Sequence, residues 1–76
     1  MPKITPTHWT ILEKVFLLDG WQFDRQDGSH RSYVKVGVAR PIVIPTYTAI
    51  PVSIIRNNMR TANMSRERYF ELLSQV

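Results

Sequence analysis

The stretch DGWQFDRQDGSHRSYVKV, residues 19–36, decides how this chain folds, because two short alternating apolar runs meet there across a glycine turn. In its first half Trp21 and Phe23 alternate with polar neighbours, as a half-buried strand requires. Asp27-Gly28 then gives a strong hairpin signal, since both central residues of that turn type need positive φ. RSYVKVGV supplies the returning strand. Regular alternation from residue 30 groups His30 with Ser32, Val34 and Val36, and puts Arg31, Tyr33 and Lys35 on the other face. Val34 and Val36 read as core residues, which sets His30 at the margin of the packed face, where the turn can twist it clear or leave it in the cleft beside the first helix.

Working outward, the preceding segment ITPTHWTILEKVFLLDG reads as a helix. Thr5 can cap it, Pro6 suits the first helical position, and Ile4 with Trp9 can form a hydrophobic staple. Trp9, Leu12, Val15 and Phe16 recur at helical spacing, and Gly20 suits the residue past the helix end. After the hairpin, GVAR makes a turn and PIVIP a short third strand bounded by prolines, as an edge strand can be. Pro51 opens a second helix with a stripe of Val52, Ile55, Met59 and Ala62. Asn63 suits the left-handed position that ends it, and Ser65 can cap a last helix in which Tyr69, Phe70 and Leu73 face inward. The expected architecture is one α+β domain over residues 1–76. It runs helix, three-stranded antiparallel sheet and two short helices, with the helices on one face.

The chain has 76 residues, 43% of them hydrophobic, which fits a small folded domain burying roughly 60% of its unfolded surface. It contains no cysteine, so disulfides, thiolate metal sites and thiol nucleophiles are excluded. No apolar run reaches the roughly 20 residues that span a bilayer, and MPKITPTHW lacks the pattern of a secretory leader, so a cytoplasmic protein without membrane contact is expected. Ten Lys and Arg against six Asp and Glu leave a formal charge of +4. That balance suits a polyanionic partner such as nucleic acid, and equally suits a basic domain with no such partner.

The residue types that can do chemistry gather at the first hairpin. Cutting RNA without a metal requires a group to take the 2′-OH proton, donors on the phosphate, and an acid for the departing 5′-oxygen. Imidazole suits both proton roles. His30 follows Gly28, whose turn leaves backbone N–H groups free to approach an anion. Arg25, Arg31 and Lys35 lie close by in sequence and can neutralise phosphate, with Gly28 and Ser29 completing the candidate RNA-binding set. Taken alone, a histidine after a turn is more simply a surface residue, and Tyr33 a packed strand aromatic. Asp24 and Asp27 read as solvated turn residues rather than metal ligands, and no metal or other cofactor is expected. His8, Trp9 and Trp21 read as structural. The pairs Arg56/Arg60 and Arg66/Arg68 suit RNA, an acidic protein or plain solvent. Two further functions fit the same residues: a non-catalytic RNA-binding module, and a protein-interaction module.

Several local patterns occur together along the chain. DGW follows the first helix, RQ-x-GSH-x-x-Y crosses the first turn, a short strand ends in IP, and ANMSRE-x-YF-x-x-L lies near the end. In this order they resemble the HicA-type toxins of bacterial toxin–antitoxin pairs, from about His8 to Leu73. The resemblance implies a fold like a double-stranded RNA-binding domain. It implies an endoribonuclease that cuts mRNA without a metal, using the histidine that is His30 here. It also implies a HicB-like antitoxin that covers the active surface, with oligomers formed only through that partner.

Overall fold

The computed structural model describes residues 3–76, so the first two residues of the expected domain lie outside it. Helix α1 (Trp9–Leu18) is followed by strands β1 (Gln22–Asp27), β2 (His30–Val34) and β3 (Ile42–Pro45), then helices α2 (Val52–Thr61) and α3 (Arg66–Leu73). The strands form one antiparallel sheet in the order β1-β2-β3, with the helices packed against one face. This is the α+β arrangement of a double-stranded RNA-binding domain, as the sequence leads one to expect.

The core forms where the apolar stripe of α1 meets the sheet. Leu12, Val15 and Phe16 are fully buried against Tyr33 and Ile44, and Trp21 meets Phe16 edge to face. Ile55 and Met59 from α2 and Tyr69 and Leu72 from α3 close the other side. Leu72 therefore takes the fully buried place, while Phe70 and Leu73 are partly covered. Gly20 and Asn63 both adopt positive φ at the ends of α1 and α2, and the Ser65 side chain accepts from the Arg68 N–H, as their positions lead one to expect.

Helix α1 begins later than Thr5 and Pro6 suggest. Thr7 pairs with Ile50 in an isolated antiparallel bridge, which needs extended backbone where a helix would otherwise start. His8 caps the helix instead, its Nδ1 accepting from the Thr10 N–H at 3.2 Å.

The hairpin also differs from the sequence reading. Asp27 pairs with His30, so the two loop residues are Gly28 and Ser29 rather than Asp27 and Gly28. Gly28 has φ +61 while neither neighbour is left-handed, which is the pattern of a type II′ turn. Only the first loop position then requires positive φ, and glycine occupies it. This register sets Phe23 opposite Tyr33, their rings edge to face at 5.8 Å.

Candidate active site at the hairpin tip

The packed face of β2 carries Arg31 and Tyr33, opposite to the reading that made Val34 and Val36 core. Tyr33 is fully buried, whereas Val34 is 42% and Val36 97% exposed. β3 explains the choice. Ile44 and Ile42, both buried, pair with Arg31 and Tyr33 and must share their face. His30, Ser32 and Val34 consequently belong to the uncovered face, and His30 is exposed at the tip instead of lying beside the core.

An irregularity in β1 decides what joins His30 there. Phe23 pairs with Tyr33 but Arg25 pairs with Ser32, so Asp24 is an extra residue, a bulge. Without it Phe23 and Arg25 would share a face by strict alternation. With it Arg25 and Asp27 turn to the open side beside Ser32 and His30. Arg25 makes no ion pair among the described residues, and its charge stands free on that face.

Arg31 and Lys35 point the other way. Arg31 Nε and Nη2 donate to Glu13 Oε2 of α1 at 3.2 and 3.0 Å, and Nη1 donates to Gln26 Oε1 at 2.7 Å. Its guanidinium carbon lies 4.1 Å from the Phe23 ring centre and 5.2 Å from that of Trp9, close enough for cation–π attraction. The Tyr33 hydroxyl accepts from Arg31 Nε at 3.0 Å and donates to Glu13. Burial, then the Glu13 bond, push the Tyr33 phenol up to about 12, with Arg31 opposing them. Lys35 Nζ lies 3.4 Å from Asp19 at the end of α1.

The structure thus brings Arg25, Gly28, Ser29 and His30 together at the tip, and sends Arg31 and Lys35 to carboxylates on the helix side. Sequence reasoning gave no role to Gln26, Glu13 or the ring pair around Arg31. The marker RQ-x-GSH was the available signal for Gln26, but only the register shows which side it takes.

Other features of the molecule bear on the site. Among the described residues no group of three or more His, Asp or Glu is placed to hold a metal ion. No helix among them is long and apolar enough to cross a membrane. The Nε1 of buried Trp21 and Nδ2 of buried Asn58 lack hydrogen-bond partners, and both lie in the packed interior rather than at the tip.

No curated protein matches the chain. A family model described as "HicA toxin of bacterial toxin-antitoxin" matches residues 9–64, which takes in α1, the whole sheet and α2. With that match covering well over half of its 76 residues, the chain belongs to the HicA toxin family and is the toxin side of a toxin–antitoxin pair.

Proposed function

We propose that this toxin is a metal-independent endoribonuclease of the cytoplasm that cleaves mRNA with His30 as general acid or base. The observation that carries this reading is an exposed imidazole at the hairpin tip sharing a face with the unpaired Arg25. Neutral imidazole takes the proton of a ribose 2′-OH, and its protonated form returns one to the departing 5′-oxygen. Arg25 draws the phosphate to the same face, and the open turn at Gly28 and Ser29 lets the backbone approach it closely. Arg31 and Lys35 contribute less to holding the RNA, because their charges are already offset by Glu13 and Asp19. The partner is a HicB-like antitoxin that covers this face, and the full chain acts as one RNA-cutting domain.

The test is RNA cleavage by the purified chain in excess chelator. The wild type is expected to cut, and His30→Ala to lose cleavage by at least a hundredfold with an unchanged circular-dichroism spectrum. A His30→Ala protein that cuts at the normal rate overturns the assignment. Binding that weakens with salt but never leads to scission would leave a non-catalytic RNA-binding module.

A further inference from the structure

A continuous chain of hydrogen bonds joins helix α1 to the turn that carries His30. Glu13 accepts from Arg31 Nη2 at 3.0 Å, Gln26 Oε1 accepts from Arg31 Nη1 at 2.7 Å, and Gln26 Nε2 donates to the Gly28 carbonyl at 2.9 Å. Gln26 pairs with Arg31 and shares its helix-facing side, so the Gly28 carbonyl is drawn toward that side. The peptide linking Gly28 to Ser29 is trans, and across a trans peptide the N–H points opposite to the carbonyl. The Ser29 N–H is therefore turned to the open face, where His30 and Arg25 lie. The Ser29 carbonyl accepts from the Thr46 N–H at 2.8 Å, which holds the residue from its other side as well. Among the described residues nothing accepts the Ser29 N–H.

We propose that the Ser29 N–H is a fixed hydrogen-bond donor to the scissile phosphate beside His30. Gln26 is the positioning residue that aims it, held in turn by Arg31 and Glu13. The proposal rests on the nuclease reading for its catalytic consequence, but not for its geometry. A donor fixed before the phosphate arrives needs no reorganisation when charge builds on the non-bridging oxygens. Arg31 then acts on the site from behind the sheet, which gives its engagement by Glu13 a use at the active face.

Two substitutions separate the links of the chain. Gln26→Glu still accepts from Arg31 but cannot donate to Gly28, and Gln26→Met makes neither bond at similar volume. Gln26 is exposed, so both proteins are expected to fold. Each is expected to lower kcat for RNA cleavage about tenfold, less than the hundredfold or more lost with outright removal of a fixed donor. In Gln26→Met, KM should stay within about twofold of the wild type, because Arg25 remains on the open face.

The second readout does not depend on cleavage. Titration with a 2′-O-methyl RNA oligonucleotide, which lacks the nucleophile, should move the wild-type Ser29 amide proton downfield in an NMR spectrum, and much less in Gln26→Met. A Gln26→Met enzyme with unchanged kcat, or a Ser29 amide that ignores the oligonucleotide while neighbouring signals respond, overturns the proposal and leaves the nuclease reading standing. If the wild type cuts no RNA at all, the nuclease reading fails. The amide titration then decides alone, absence of the downfield shift overturning the donor.

Discussion

Gly28 shows how much one residue sets at this site. Its φ of +61 lies where L side chains are disfavoured, yet a Cβ built on it meets no atom within 4 Å. Any cost of substitution is therefore conformational and not steric. Gly28→Ala is expected to destabilise the fold by about 1–3 kcal/mol, the usual cost of holding an L residue in a sparsely populated backbone region. It should also slow cleavage by more than the loss of stability accounts for, since it shifts the peptide that Gln26 holds. Urea unfolding measures the first effect, and cleavage under conditions where the variant stays folded measures the second. A Gly28→Ala chain as stable as the wild type would show that the turn is not held in the II′ form.

At the scale of elements, Arg31 is the side chain that ties helix α1 to the tip half of the first hairpin, with Tyr33 bonded to the same Glu13. Every residue of β1 is exposed, and beyond Tyr33 toward the tip no buried apolar side chain of the hairpin itself anchors it. Arg31 fills that gap by bridging Glu13 of α1 and Gln26 of β1 between the Trp9 and Phe23 rings. The two side chains of the ion pair are 20% and 19% exposed, so the pair lies between a solvated bridge and a buried one. A double-mutant cycle with Glu13→Gln and Arg31→Met is expected to give a coupling of about 1–2 kcal/mol. A coupling near zero would mean that the rings alone hold Arg31. Element order was legible in the sequence because apolar spacing, Gly20, Asn63 and Ser65 are local signals, and each lies where the chain uses it. The start of α1 was not, because the bridge from Thr7 to Ile50 joins residues far apart in sequence. Which face of β2 packs was misread for a related reason. Val34, Val36 and Tyr33 can all be buried, and only pairing with Ile42 and Ile44 selects Tyr33. The bulge at Asp24, which turns Arg25 toward His30, left no mark that composition could reveal.

Across the whole molecule, one face of the sheet carries the proposed catalytic tip and the other the contacts that hold helix to sheet, and pH offers a way to address those contacts. Tyr33 lies at the junction of α1 and the sheet, with its phenol raised to about 12 by burial and by the bond to Glu13. The ordinary phenol value, about 10, applies once the chain unfolds. Below that pH both states keep the proton, and the contribution of the group to stability is fully present. Between about 10 and 12 the unfolded chain gives up the proton while the folded one retains it, so stability falls as pH rises. Tyr69, raised by its burial between α3 and the core, adds to the same trend. The melting temperature should therefore decline steeply above about pH 10, beyond any slow loss from rising net negative charge. Tyr33→Phe should melt lower than the wild type near pH 7, because Glu13 and Arg31 lose the hydroxyl between them. Its decline above pH 10 should nonetheless be shallower, so the two curves converge on the alkaline side. Thermal melts followed by circular dichroism from pH 7 to 11.5 check this, with Tyr69→Phe as the second tyrosine control. Parallel curves for wild type and Tyr33→Phe would show that the phenol does not couple to folding, and would remove the Glu13–Arg31–Tyr33 junction as a source of cohesion between helix and sheet.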